Sequence, residues 1–273
     1  MNKFALSVVV ATRNEADNVA SCIDSFAAFR DRVEIVVVDN DSSDSTCAIA
    51  AERGAMVLRK GPERCAQRNS GWQNATADWI LILDADMIVP GKTIAAILEA
   101  TGRSENNAPA AYWIPEIRSG RGFRAKVRNF ERSFYDGTCI DALRLFRRDV
   151  LEKTGGYDEK LLPGGEDWEL DIRVKALSFE LALLSEPLIH NEKQLPLKRM
   201  LEKKAYYTRG FAAYKAKWPD NPAVKKQFSP WYRFAGVFIE HGKWRKVLRH
   251  PILFAGIIFE RLAVGMVYLR KCA

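Results

Sequence analysis

The chain has 273 residues, 48% of them hydrophobic, and a formal net charge of +8. That is enough apolar material for one sizeable core and a smaller appendage, and the absence of repeats, low-complexity tracts and Gly/Ser- or Pro-rich linkers excludes a repeat array or a tethered set of modules. The five cysteines (Cys22, Cys47, Cys65, Cys139, Cys272) are odd in number and scattered, with no CxxC pair and no His partner at zinc spacing, so a reducing compartment and no structural zinc are expected.

Met1-Asn2-Lys3-Phe4 runs straight into a β-rich segment, so no signal peptide is expected. Residues 6–11 read as a buried strand. A helix is predicted from Asn18 to Phe29, with Val19, Cys22, Ile23 and Phe26 on one face. Glu34 to Val38 reads as a second strand, followed by the acidic turn Asp39-Asn40-Asp41-Ser42-Ser43-Asp44 and a helix over Ser45–Arg53, with Gly54 as its C-cap. A short strand at Met56–Leu58 and a helix at Gln67–Ala75 lead to the run Trp79-Ile80-Leu81-Ile82-Leu83-Asp84-Ala85-Asp86. A helix over Thr93–Ala100 closes this region. Strands alternating with helices imply a doubly wound, mostly parallel α/β sheet.

The Ile/Leu run suits a strand buried on both faces, and its two aspartates fall where open α/β sheets place ligands. Strand alternation would point Asp84 and Asp86 the same way. Paired hard oxygens there suit Mg2+ or Mn2+, which can hold a phosphate; a solvated turn with two surface acids is the alternative.

Further along, strands are predicted at Ala111–Ile114, Leu143–Phe146, Leu181–Leu184 and Leu188–His190. Arg118–Arg132 is rich in Arg and Lys and gives no clear pattern. Asp149–Lys153 reads as a short helix stopped by Gly155-Gly156, and Glu166–Leu177 as a longer one. Residues 191–273 hold 18 Lys/Arg against 5 Asp/Glu, a net +13, which leaves −5 for residues 1–190. A long helix is predicted over Pro196–Trp218, with aromatic residues along one face. It suits either a membrane interface or packing on its own domain. Pro251–Leu269 is apolar except for Glu260-Arg261. Nineteen helical residues reach roughly 28 Å, close to a bilayer core. Two mid-segment charges would cost roughly 5–7 kcal/mol there, and adjacent residues on a helix do not face each other. A buried or half-inserted helix is therefore expected rather than a simple span.

Five segments then stand in order: Ser7-Val8-Val9-Val10-Ala11-Thr12-Arg13-Asn14-Glu15, Val36-Val37-Val38-Asp39-Asn40-Asp41-Ser42, Arg68-Asn69-Ser70-Gly71 before Asp84-Ala85-Asp86, Gly155-Gly156-Tyr157-Asp158-Glu159, and Gly165-Glu166-Asp167-Trp168. Together they resemble the family 2 glycosyltransferases over roughly residues 5–190. The resemblance implies a GT-A fold on residues 1–192, with 193–273 as a helical, basic C-terminal region. It also implies residue roles. Thr12 and Glu15 would line the nucleotide pocket, Asp39 would contact base or ribose, and Arg68 would approach the diphosphate. Asp84 and Asp86 match a DxD motif, with Asp86 meeting Mn2+ or Mg2+. Asp167 matches the general base, supported by Glu166, and His190 lies where some relatives supply a further metal or diphosphate contact. His190, Asp39 and Asp44 could equally serve structure alone. Arg13 stands where Tyr is common, and Asp39-Asn40-Asp41-Ser42 replaces Asp-Asp-Gly-Ser, so donor preference is open.

The expected reaction is inverting transfer of a sugar from a nucleotide-diphospho-sugar, taken as a UDP-sugar, to a hydroxyl. A carboxylate takes the hydroxyl proton while cation and Arg balance charge on the leaving diphosphate. The basic, aromatic tail suggests work at the inner face of the cytoplasmic membrane on a lipid-linked saccharide or another surface-glycan precursor. Transfer to a polyprenyl phosphate, held by Arg118–Arg132, is the alternative. A nucleotidyltransferase would carry a Gly-rich loop where Thr12-Arg13-Asn14-Glu15 stands. A nucleic-acid-binding module is disfavoured because no such motif accompanies the basic tail, so no nucleic-acid partner is expected.

Overall fold

A computed structural model describes residues 4–103, 108–191 and 210–272 of the chain. Its first part alternates β1 (Leu6–Thr12), α1 (Val19–Asp24), β2 (Val33–Asp39), α2 (Thr46–Glu52), β3 (Met56–Arg59), α3 (Arg64–Asn74), β4 (Trp79–Asp84), β5 (Met87–Ile88) and α4 (Gly91–Thr101). The middle adds β6 (Ala111–Trp113), β7 (Glu116–Arg118), α5 (Gly122–Arg132), β8 (Leu143–Arg147), α6 (Arg148–Thr154), α7 (Glu166–Ala176), β9 (Leu181–Leu183) and β10 (Leu188–His190). Five helices follow: α8 (210–217), α9 (Pro222–Phe228), α10 (Val237–Ile239), α11 (Trp244–Arg249) and α12 (Pro251–Cys272).

The central sheet has seven strands in the order β3-β2-β1-β4-β8-β6-β9, and only β8 runs against the rest. The strands are apolar on both sides because helices cover both faces. Leu6, Val8 and Val10 of β1 pack with α1 and α4, while Val9 joins Ile80 and Ile82 of β4 against α3, α6 and α7. Val9 sits at the centre of this register, beside Val36 on one side and Ile82 on the other.

Gly71 sets the distance between α3 and the sheet. A Cβ at that position would lie 2.2 Å from Val9 Cγ1 and 3.1 Å from Val38 Cγ2. The helix can therefore press its N-terminal half, with Gln67 and Arg68, against the ends of β1, β2 and β4. A second, small sheet in the order β5-β10-β7 lies beside that end. It pairs His190 with Met87, the residue after Asp86, and with Arg118.

Several predicted elements change length. The first helix ends at Asp24, and a 3-10 turn at Ala27–Phe29 replaces its last part. Ser25 Oγ donates to the Cys22 carbonyl at 2.6 Å, one of the local bonds that compete with helix continuation. The basic stretch that shows no clear pattern contains α5, whose buried residues are Val127 and Arg132. Phe123, Val127 and Phe130 stand at helical spacing, but Phe123, Ala125 and Val127 also alternate with Arg124, Lys126 and Arg128, as in a strand. In the tail, the predicted helix before residue 210 lies outside the described residues; 210–217 is helical and ends before Pro219.

The described part of that helix packs on α7. Tyr214 is buried, and the Phe211 ring stacks on Trp168 of α7 at 5.4 Å between centroids. A further apolar cluster, including Val127, Phe134, Tyr232, Phe238 and Ile257, joins α5 to α10 and α12. Among the described residues, no helix is long and apolar enough to cross a membrane.

Gly71→Ala should destabilise the protein by about 1–3 kcal/mol, because the added methyl overpacks the α3–sheet contact. Urea unfolding checks this; an unchanged midpoint would show that α3 has room to move off Val9.

Candidate functional site

The C-terminal ends of β1, β2 and β4 deliver Thr12, Asp39 and Asp84 to one edge of the sheet, the usual ligand edge of an open α/β fold. The loops after β1 and β2 are tied to each other. Asn14 Oδ1 accepts from the Ser43 backbone N–H at 2.8 Å, and Ser42 Oγ accepts from Asn14 N–H at 2.8 Å. Asp44 accepts from Ala16 N–H at 3.2 Å and from Thr46 N–H at 3.0 Å, so it ties the loop after β1 to the start of α2. Gln67 of α3 reaches across and donates to the carbonyls of Thr12 and Val38 at 2.8 and 2.7 Å.

Within this frame Thr12 is buried, and its hydroxyl donates to Asp39 Oδ1 at 3.0 Å. Asp39 also accepts from the Ser42 N–H at 2.8 Å. Burial works against its charge, but these donors hold its carboxyl below the usual range. Thr12 thus helps to position Asp39. Glu15 accepts from Asn18 Nδ2 at 2.7 Å, and its backbone N–H donates to Thr46 Oγ1 at 2.8 Å.

Arg68 is the centre of the site. It is 1% exposed, and its guanidinium donates to Asp84 Oδ1 at 3.0 Å and to Asp167 Oδ1 at 2.7 Å. Glu166 Oε1 lies 3.8 Å away, and the Tyr157 ring covers the guanidinium at 5.1 Å. This differs from a side chain reaching freely for a diphosphate. Arg68 is committed to holding two carboxylates from distant parts of the chain. Burial resists charge on Asp84, yet Arg68, then Arg144 and Arg64, hold its carboxyl far below the usual range.

Asp84 and Asp86 do not point the same way. β4 ends at Asp84 and the chain turns at Ala85-Asp86, so strand alternation stops between them. Asp84 faces Arg68, whereas Asp86 Oδ2 lies 3.1 Å from His190 Nε2. The other ring nitrogen, His190 Nδ1, is buried without a hydrogen-bond partner and lies 3.7 Å from Glu116 Oε2. Burial disfavours the imidazolium, but Asp86 and Glu116 overcome this and hold the His190 pKa up at about 9.

Glu166 and Asp167 begin α7, where helix-terminal N–H groups favour negative charge. Their surroundings separate their tasks. Glu166 is 1% exposed and ion-paired to Arg64. Burial, then the adjacent Asp167 charge, raises its pKa above the usual value. The Asp167 side chain is 26% exposed, so of this pair it is the one that solvent reaches.

Two remote segments lock this arrangement. Asn69 donates to the Tyr157 carbonyl at 2.8 Å and accepts from the Tyr157 N–H at 2.8 Å. Gly156 has φ +72°, and a Cβ there would lie 2.4 Å from Asn69 Oδ1, so the pairing needs glycine. Sequence reasoning missed the buried cations and anion behind the site. Arg144 pairs with Glu116 at 2.7 Å, and Arg132 pairs with Asp141 at 2.8 Å. None of them belongs to a motif; only their presence in otherwise apolar strand or helix patterns could have marked them.

Among the described residues, no three His, Cys, Asp or Glu side chains form a ready-made metal cage. Asp86 still offers a carboxylate oxygen beside His190 Nε2, which would become a ligand on losing the proton that Asp86 and Glu116 hold on the ring. Mg2+ and Mn2+ suit such incomplete sites, because substrate phosphates and water fill the remaining positions. The residues present therefore fit a divalent ion shared with a diphosphate.

The profile of "Glycosyl transferase family 2" matches residues 7–155. A probable glycosyltransferase, YdaM, of Bacillus subtilis is 25% identical over 202 residues, which cover 64% of this chain and 48% of that protein. The chain spans about half the length, or less, of the first curated relatives it matches. Among solved structures, a mannosyltransferase from Pyrobaculum calidifontis in complex with GDP-Man and Mn2+ aligns with TM-score 0.60 and 18% identity, covering 98% of this chain and 81% of the other. Glucosyl-3-phosphoglycerate synthase from Mycobacterium tuberculosis, with Mn2+, UDP and glucosyl-3-phosphoglycerate, aligns with TM-score 0.55 and 20% identity, covering 79% and 80%. These structures share the fold, a GT-A sheet.

Arg68→Met should cost about 3–5 kcal/mol at neutral pH by leaving Asp84 and Asp167 facing each other without a cation. The sign of its pH dependence follows from Asp84. A depressed carboxyl stabilises the wild type above the ordinary pKa of about 4 and loses that contribution as pH falls through the folded value. In the variant the carboxylates gain affinity for protons, so the gap to wild type should narrow between pH 7 and pH 5. Chemical denaturation at both pH values reads this directly, and a gap that widens on acidification refutes it.

Proposed function

Because the chain belongs to glycosyl transferase family 2, we propose that it is an inverting, metal-dependent enzyme that moves a sugar from a nucleotide-diphospho-sugar to a hydroxyl acceptor. One observation carries the reading: a single buried arginine holds both Asp84 of the β4 end and Asp167 of α7. The acid facing the leaving group and the acid facing the acceptor are thereby fixed relative to each other.

In this reading the nucleotide lies along the tied loops after β1 and β2, with Asp39 at the base or ribose and Glu15 beside it. The acceptor hydroxyl gives its proton to Asp167 as its oxygen attacks the anomeric carbon. The bond from that carbon to the diphosphate breaks on the opposite face, which inverts the configuration. Asp167 needs no covalent role, and Glu166 stays beneath it as a buried partner of Arg64. Asp86 and His190, with Asp84 behind them, would hold Mn2+ or Mg2+, whose charge offsets the negative charge growing on the diphosphate. Holding the reactants in line accounts for much of the rate in such a site.

A UDP-sugar is the first donor to test. The two solved neighbours carry UDP in one case and GDP-Man in the other, so a screen includes both nucleotides. For the acceptor, the net +13 of residues 191–273 supports a lipid-linked saccharide or surface-glycan precursor at the inner face of the cytoplasmic membrane.

The test is nucleotide release by purified protein with Mn2+ or Mg2+ across a donor panel. Asp167→Asn should bind donor as wild type does but lose transfer by roughly 10²–10⁴-fold; full activity would remove Asp167 as the base. Asp86→Ala should weaken donor binding in the presence of Mn2+ and leave metal-free binding nearly unchanged. Isothermal titration with and without EDTA separates the two, and equal loss in both arms would refute a metal role for Asp86.

A further inference from the structure

The outer face of α12 is apolar where a soluble helix is normally polar. Ile252, Ala255, Phe259 and Leu262 recur at helical spacing and are exposed, Ile252 by 72% and Phe259 by 71%. The charges of this segment turn inward instead. Arg261 donates to Glu131 Oε1 at 2.6 Å and to Tyr135 Oη at 3.0 Å, and Glu260 pairs with Arg124 at 3.2 Å. Both acid and base find partners on or next to α5, so the helix is fixed with its apolar stripe outward.

A second apolar surface adjoins the inner side of α12. Phe254 of the same helix lines an apolar groove of about 250 Å³ with Phe234, Ile239, Trp244 and Leu248. Leu248 is 70% exposed, and Trp231 and Phe123 are exposed nearby in the chain and on α5. A contiguous apolar surface of this kind marks an interaction site. Around it the charge is one-sided: residues 231–250 carry Arg233, Lys243, Arg245, Lys246 and Arg249 against Glu240 alone. Arg245 and Arg249 are exposed and enter no ion pair among the described residues. Exposed tryptophans on an apolar face, with basic residues beside them, match the layering of a bilayer surface, from acyl chain to headgroup.

We infer that the face formed by residues 231–262, with Ile252, Phe259, Leu262, Leu248 and Trp244 at its centre, docks flat on an anionic lipid leaflet without crossing it. A second copy of the chain fits less well, because it would bring the same positive charges to the contact. The inference deepens the proposed acceptor class, and rests on that reading only for its biological use. Binding itself can be measured without any sugar transfer.

The experiment is co-sedimentation of the full chain with phosphatidylcholine vesicles, pure or containing one quarter phosphatidylglycerol. Wild type should pellet with the anionic vesicles and stay largely soluble with the neutral ones. Replacing Ile252, Phe259 and Leu262 by Ser should weaken the partitioning by roughly 100-fold. These side chains are exposed, so thermal unfolding should be unchanged. Arg245→Gln with Arg249→Gln should weaken binding by roughly 10-fold or more and flatten its salt dependence. Wild type that remains in the supernatant overturns the inference, as does a Ser variant that pellets like wild type. A dimer in light scattering that the Ser variant abolishes, without vesicle binding, assigns the face to self-association and also overturns it. Metal-dependent nucleotide release in vesicle-free buffer reports on the catalytic reading separately, so either idea can fail alone.

Discussion

A buried guanidinium among three carboxylates is the interaction on which this site depends. Asp84, Glu166 and Asp167 gather within reach of Arg68 at the mouth of the sheet, and without a cation their repulsion and desolvation would open the mouth or neutralise them. Arg68 can be there only because α3 lies close to β1 and β2, and that closeness needs Gly71. Arg64, one turn earlier on α3, takes Glu166 and leaves Asp167 to share Arg68 with Asp84. One helix thus decides which acid is structural and which stays open.

The same economy links the other segments. Gln67 and Asn69 flank Arg68 on α3. One bonds to the strand ends at Thr12 and Val38, the other to the backbone of Tyr157. The nucleotide-side loops, the glycine turn at 155–156 and the start of α7 are consequently held to a single element. On the far side of the turn after Asp84, His190 and Glu116 form a separate polar pocket around Asp86, backed by Arg144 and Arg132. The two aspartates of the motif therefore belong to two neighbouring microenvironments. One is committed to the protein's own arginine, and the other adjoins a histidine suited to sharing a ligand.

The C-terminal helices serve this centre from outside. Trp168, next to Asp167, packs with Phe211, Tyr214 and Phe228, so α7 is fixed from both sides. Beyond that contact the usual polarity is reversed. In α12 Ile257 packs inward with Leu253 and Phe254, while Glu260 and Arg261 pair with α5 and Ile252, Phe259 and Leu262 face out. The adjacent pair Glu260-Arg261, which cannot neutralise itself on one helix, is resolved by Arg124 and Glu131, two turns apart on α5.

The sequence by itself determined the mostly parallel α/β sheet, the order of its first elements, and which acids stand at the strand and helix ends. Apolar strands covered on both faces have a distinctive pattern, and the acids stand at strand and helix ends where backbone geometry exposes them. It also determined that a basic, aromatic region follows the catalytic part. It left α5 unread, because Phe123, Ala125 and Val127 alternate with Arg124, Lys126 and Arg128 in a strand-like way that competes with the helical spacing Phe123, Val127, Phe130, and it ran the first helix five residues too far. Only the tertiary structure decided that Arg68 clamps carboxylates, that Thr12 supports Asp39, that Asp84 and Asp86 part company, and that Glu116 stands behind His190. Those facts depend on side chains separated by up to 104 residues meeting in a low-dielectric interior, where a charge is stable only beside its partner. No local pattern records which partner that will be.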